Sequence, residues 1–186
     1  MARSMSDPPE SETYRLATSP SHLLHRAEQL ATDRFTQLVG DTVTLRQFAV
    51  LAAIAESPGL SQSDLVRATG VDRSTMADMM NRMEGRGWIT RVASTLDARA
   101  RSVRLAAAGV TLLAAATHHA RAADAAILDA LPRTKRRTFL NTLTKLAKIS
   151  DEAAAKADRE QRREAKRSHK DQKKETKAGT ARKPRR

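Results

Sequence analysis

Four of the six methionines fall in one decapeptide, "TMADMMNRME" at 75–84: Met76, Met79, Met80 and Met83. Four thioethers so close together could serve a soft-metal site, an oxidation sensor or a packed core. At about 100° per residue they share one arc of a helix of about 100°. Ser74, Ala77, Asp78, Asn81 and Arg82 take the opposite arc, with Arg73 beside them. Soft-metal binding needs ligands converging from several segments, and no cysteine exists to help. The pattern therefore predicts an amphipathic helix with a methionine underside, and interest passes to its polar face. A second candidate chemistry is zinc, from His22-x-x-His25 and His118-His119. No cysteine or same-face carboxylate accompanies these histidines, so neither metal nor cofactor is expected. There is no Ser-His-Asp spacing, phosphate loop or paired carboxylates in a cleft-forming context, and an enzyme is not expected.

The elements that must carry this polar face can be read from caps and periodicity. Residues 1–20, rich in Pro, Ser, Asp and Glu, are expected to be a disordered leader. A helix should begin near Pro20, follow Leu23, Ala27, Leu30, Ala31, Leu38 and Val39, and stop at Gly40. "TLRQ" (44–47) is a capping box ahead of "FAVLAAIA", and "SQSD" (61–64) is its Asp variant, opening a short helix that Gly70 ends. Asp72 is placed to cap the methionine helix, 73–84, closed by "GRG". "WITRV" (88–92) and "RSVRL" (101–105) read as a hairpin with a long polar tip. An Ala-rich helix, 107–131, should break at Pro132, and Thr134 can cap a last helix through Leu140, Leu143 and Leu146. Beyond about residue 160 only charge remains.

Aromatic residues make up 3% of the chain, so the core must be built from Ala, Leu, Val, Ile and Met. The net charge of +13 points to a polyanionic partner, most often nucleic acid. Its position matters more than its total. Residues 156–186 hold fourteen Lys/Arg against five Asp/Glu, whereas 1–155 hold twenty against sixteen. The absence of cysteine removes disulfides and thiolate chemistry. No apolar run approaches the roughly 18 residues of a membrane span, and the start lacks a signal peptide's apolar stretch. A cytoplasmic, nucleoid-associated bacterial protein without membrane contact is the expectation.

Over about 23–150 the chain resembles the multiple antibiotic resistance regulator (MarR) family of winged helix–turn–helix transcription factors. Three parts carry the resemblance together: "LSQSDLVRATGVDRST", the "RMEGRGWITR" exit into the wing, and Asp97-Ala98-Arg99 four residues before Val103. The resemblance implies a mainly α fold with a small β-hairpin wing and N- and C-terminal dimerisation helices. A leader (1–20) would precede the MarR-like domain (21–155), with the winged helix–turn–helix at about 44–105 and dimerisation helices at about 21–39 and 107–155. A basic tail (156–186) would follow. It also implies a homodimer on double-stranded DNA, more often a repressor, released by a small aromatic or phenolic effector. Two positions depart from the family: Ala106 stands where a Thr usually caps the fifth helix, and Asp78 where a basic or neutral polar residue is common.

A recognition helix enters the major groove N-terminal half first, so Arg73, Ser74 and Thr75 should lie closest to DNA. Ser61 and Gln62 are natural backbone contacts. Asn81 suits adenine and Arg82 guanine or phosphate. Asp78, one turn before Arg82, would orient it; accepting from a cytosine amine and simple solvation are the alternatives. By the resemblance, Arg99 is the wing's minor-groove arginine, with Asp97 bracing it or the wing backbone. Arg91, Arg101 and Arg104 would add phosphate contacts. A near-palindromic operator with half-sites about one helical turn apart would match the two-fold axis. The family's pocket lies between the dimer helices and the reading head. Its candidates here are His22, His25, Arg26, Arg46, Phe48 and His118, as holders of a carboxylate or phenolate; the competing reading makes them surface or interface residues.

The tail is either solubilising or a sequence-independent phosphate binder. In the second case its deletion after about residue 158 should weaken specific and random DNA alike. The competing function is a nucleoid-type DNA binder of weak sequence preference, dominated by that tail.

Overall fold

A computed structural model describes residues 14–93 and 101–180, with Ala93, Arg101, Ala154, Asp158, Arg159 and residues 161–180 as backbone alone. The first helix, α1 (Pro20–Val39), starts where Ser19 Oγ accepts from the His22 amide at 3.4 Å and Pro20 supplies a ready-made first turn. Gly40, at φ 86°, ends it. The second, α2 (Leu45–Glu56), carries the expected capping box: Thr44 Oγ1 accepts from the Gln47 amide (3.3 Å), and Gln47 Oε1 from the Thr44 amide (3.0 Å). The helix–turn–helix follows as α3 (Gln62–Thr69) and α4 (Arg73–Gly85), with Gly70 left-handed between them at φ 69°. Strands β1 (Ile89–Ala93) and β2 (Arg101–Leu105) pair antiparallel, Ile89 opposite Leu105 and Ala93 opposite Arg101. Two long helices complete the fold, α5 (Ala107–Asp129) and α6 (Arg133–Thr180).

The wing is tied to the helix–turn–helix through backbone. Val103 N–H donates to Leu60 O at 2.9 Å and Gly59 N–H to Val103 O at 3.1 Å, so the approach to α3 forms a short third rung beside β2. Leu51, Ile54, Leu65, Met76, Met80, Met83, Ile89 and Val103 are almost completely excluded from solvent and form one core beneath the helix–turn–helix and wing. α1 lies along α5. Gly109 lets α5 approach the start of the wing: a Cβ there would sit 2.0 Å from Trp88 O. That same carbonyl accepts from the Ala106 amide at 2.9 Å, so α5 begins without a side-chain cap, as Ala106 led one to expect.

Three expectations need correction. The leader is not featureless to residue 20: Leu16–Thr18 form a helical turn, and Tyr14 Oη lies 2.5 Å from Ser19 Oγ, the capping hydroxyl of α1. Residues 1–13 lie outside the described residues. Thr134 does not cap α6, because the helix has already begun at Arg133 and the Lys135 amide donates to Pro132 O at 2.8 Å. Finally, α6 does not give way to structureless charge near 160 but continues to Thr180. Ten of the sixteen residues 165–180 are Lys, Arg, Glu, Gln or Ala, good helix formers, and no proline follows Pro132 before Pro184. No helix among the described residues is long and apolar enough to cross a membrane.

Candidate nucleic-acid interface

The reading surface is the outer face of α4. Met76, Met79, Met80 and Met83 are 0%, 4%, 0% and 0% exposed, which identifies them as core. Arg73, Ser74, Asp78, Asn81 and Arg82 are exposed on the other side, with Thr75 half-buried at the edge. Asp72 holds the helix entrance: its Oδ1 accepts from the Thr75 amide (2.9 Å) and from Ser74 Oγ (2.6 Å). Those bonds, Ser74's first, hold its carboxyl well below the usual carboxylate range. The Ser74 proton is thus committed within the protein, and the anion favoured by this helix N-terminus is already supplied by Asp72.

At the entrance to α3, Ser61 Oγ donates to Asp64 Oδ2 at 2.6 Å and accepts from the Asp64 amide at 3.2 Å; the Ser61 amide donates to the same carboxylate oxygen at 2.9 Å. Ser61's hydroxyl lowers the Asp64 carboxyl most; its amide and Arg67 assist, against partial burial. Ser61 and Gln62 are both half-buried, which leaves Ser61 more a cap than an open phosphate donor.

Arg91 departs from its expected role. Its side chain is 16% exposed and binds Glu84 Oε2 at 2.9 Å and Asn81 Oδ1 at 2.5 Å. It ties β1 to the last turns of α4, and its buried Nε has no partner among the described residues. Asn81 correspondingly has its carbonyl oxygen committed to Arg91, leaving its side-chain NH2 group to donate to a base edge. Nor does Asp78 clamp Arg82: among the described residues the two make no ion pair. Arg82 instead lines a cleft with Arg86, whose guanidinium stacks 5.0 Å from the Trp88 ring centre. Asp97 and Arg99 lie outside the described residues. Arg101 is placed through its backbone, opposite Ala93 at the wing's outer end, and Arg104 is exposed.

The six candidate effector residues are not gathered into one cavity. Arg46, paired with Glu28 at 3.2 Å, lines a cleft of about 650 Å³ between α1, the start of α2 and α4, together with Thr32, Thr75, Met79, Arg82 and Arg86. Phe48 packs on Phe35, ring centres 5.4 Å apart, and faces a second hollow of about 320 Å³ against α5, with Thr117, Arg121 and Asp124. Burial pushes the Asp124 carboxyl up. His118 is exposed, edge-on to His119 at 5.5 Å; His25 and Arg26 are exposed on α1, and His22 is half-buried in its first turn. Thr75, Met79, Arg82 and Arg86 were missed as cleft residues because only the tertiary fold sets α4 across the cleft from α1. Among the described residues no group of three or more His, Cys, Asp or Glu could hold a metal ion.

A helix–turn–helix with its second helix outward and a β-hairpin at its flank defines a winged-helix protein. The MarR family model matches residues 41–100. "Transcriptional regulator HosA" of Escherichia coli is 34% identical over 125 residues, covering 67% of this chain and 92% of that protein. The chain belongs to the MarR family. Among solved structures, the PcaV transcriptional regulator from Streptomyces coelicolor in complex with its natural ligand superposes with a TM-score of 0.68 at 28% identity, over 74% of this chain and 98% of that one. Bordetella bronchiseptica BpsR, whose DNA binding is regulated by 6-hydroxynicotinic acid, gives 0.67 at 27% identity, over 72% and 96%.

Proposed function

We infer that this chain is a dimeric repressor whose two α4 helices read the halves of a near-palindromic operator, and which a small aromatic acid releases. The observation that carries DNA reading is the division of α4 into a sealed methionine side and a polar side of Arg73, Ser74, Thr75, Asp78, Asn81 and Arg82. Ser61 and Gln62 flank it, and Arg101, with Arg99 and Asp97 by the family resemblance, completes the proposed DNA-binding set. Dimerisation is supported by large aliphatic side chains left exposed on the outer helices: Leu23, Leu24 and Leu30 on α1, and Leu140, Leu143, Leu146 and Ile149 on α6. A row of this length on each helix is what a partner subunit would cover.

The cleft between α1 and α4 supports the effector reading. It joins a dimer helix directly to the recognition helix, and Arg46, Arg82 and Arg86 give it cations for a carboxylate. An occupant that fits best when the two α4 helices are wrongly spaced would shift the population away from the DNA-binding form. BpsR's response to 6-hydroxynicotinic acid supports the choice of an aromatic acid. The test is operator selection from random duplexes, then sedimentation of the complex. Two chains per selected site, dissociated by an aromatic acid from a small-molecule screen, is the expected result; one chain per site would end the dimer reading.

A further inference from the structure

Helix α6 runs for 48 residues, to Thr180, and the charges of its second half are sorted. At about 100° per residue, all ten Lys/Arg between Lys156 and Lys177 fall within an arc of about 140°. The five acids of the same stretch, Asp158, Glu160, Glu164, Asp171 and Glu175, all fall outside it. Lys156, Arg159, Arg163, Lys166, Lys170, Lys173 and Lys177 make a continuous stripe at alternating spacings of three and four. Merely solubilising charge needs no such sorting. The sorting also sets like charges one turn apart, as at 159/163, 166/170 and 173/177, an arrangement that disfavours an isolated helix and that a polyanion would relieve.

The placement of the helix indicates which polyanion. α5 leads away from the wing for 23 residues, about 34 Å, and α6 comes back to touch α3 of the reading head. A return of that length ends near residue 155, and Ala155 is half-buried where its described neighbours are exposed. Ala155 lies within the arc of the basic stripe, whereas Leu140, Leu143 and Leu146 lie outside it and Ile149 at its edge. The stripe therefore continues from the side of α6 that carries Ala155, away from Leu140, Leu143 and Leu146 of the aliphatic row. From Lys156 to Lys177 it is about 33 Å long, close to one turn of duplex.

We propose that residues 156–177 form a helical arm that grips the phosphate backbone of duplex DNA flanking the operator, extending the footprint of each subunit. This rests on the proposed operator-binding reading. The arm adds affinity and salt dependence but no base preference, because a stripe of lysines and arginines meets phosphates alone.

The experiment uses the full chain and two variants. One carries Arg163→Gln, Lys166→Gln, Lys170→Gln and Lys173→Gln; the control carries Glu164→Gln and Asp171→Asn on the opposite side. Each is titrated over a salt series onto the bare operator and onto the same operator with a helical turn of extra duplex at each end. The wild-type chain should bind the flanked duplex at least tenfold more tightly and with a steeper salt slope. The four-Gln variant should lose that difference, its log–log slope on flanked DNA falling by two or more, while its preference for operator over random sequence is kept. The control should behave as wild type. Equal slopes for wild type and the four-Gln variant on flanked DNA would overturn the arm. So would loss of binding to anionic phosphatidylserine vesicles with unchanged DNA binding, which would make the stripe a membrane-surface contact. A wild-type chain without operator preference whose flank effect is still lost in the four-Gln variant would sink the operator reading and leave the arm standing.

Discussion

Replacing Gly109 by alanine tests how the wing is seated on α5. In an exposed helix interior this change stabilises by up to about 1 kcal/mol, since glycine loses more freedom on folding. Here the new Cβ would lie 2.0 Å from Trp88 O, 2.9 Å from its carbonyl carbon and 3.3 Å from its Cα. These are backbone atoms, which no rotamer change can move aside. α5 and the start of the wing must separate by about 1.4 Å to restore contact distance, with an overpacking cost of about 1–3 kcal/mol. The separation also stretches the 2.9 Å bond from the Ala106 amide to Trp88 O, a further loss of about 1 kcal/mol. The net expectation is a destabilisation of about 1–3 kcal/mol, or roughly 3–10 °C in Tm for a chain of this size. Urea unfolding at fixed protein concentration measures it, with Gly85→Ala as control, since a Cβ at Gly85 meets nothing within 4 Å. Operator affinity of Gly109→Ala should fall as well, because the wing is displaced from α4. An unfolding midpoint for Gly109→Ala at or above wild type would refute the reasoning.

Other substitutions probe the reading head. Arg91→Ala removes the tie to Asn81 and Glu84 and should lower stability by about 1–3 kcal/mol, with operator affinity falling in proportion to wing displacement; an affinity loss with unaltered stability would restore Arg91 as a direct phosphate contact. Arg99→Ala should weaken operator binding by about 1 kcal/mol or more in a gel-shift titration at physiological salt, and unchanged affinity would remove the wing tip from the interface. Met80→Ala should cost about 2–5 kcal/mol and Met80→Leu less than about 1.5 kcal/mol, because the site is a packed core position; similar losses for both in chemical denaturation would contradict that. Asp72's depressed carboxyl makes its capping contribution present at neutral pH and lost as pH falls below about 4 through its folded value. Asp72→Asn keeps the cap without the titration, so the wild-type advantage over Asp72→Ala should shrink in acid while that of Asp72→Asn stays level.

What the sequence revealed and what it hid have a common cause. Caps act within four residues, so Thr44 with Gln47, Ser61 with Asp64, and Asp72 were visible as patterns and appear as bonds. The methionine side of α4 was equally visible, because helical periodicity alone sorts it from the polar side. The role of Arg91 was hidden, since its partners are seven and ten residues away and meet it only once the wing folds against α4. Asp78 and Arg82 had favourable spacing, but spacing alone does not bring two exposed side chains together, and Arg82 lines the α1–α4 cleft instead. The effector candidates were chosen by residue type, and His22, His25, Arg26 and His118 line neither the Arg46 cleft nor the Phe48 hollow. The length of α6 was underestimated because charge was read as an end of structure, although Lys, Glu, Arg and Gln propagate a helix well.

The outward face of α4 as a reader of DNA sequence is tested most directly by competition binding at physiological salt. A selected operator is set against random duplex of equal length. A preference of about a thousandfold or more is predicted. Comparable affinity for the two would leave the recognition helix without a sequence to read.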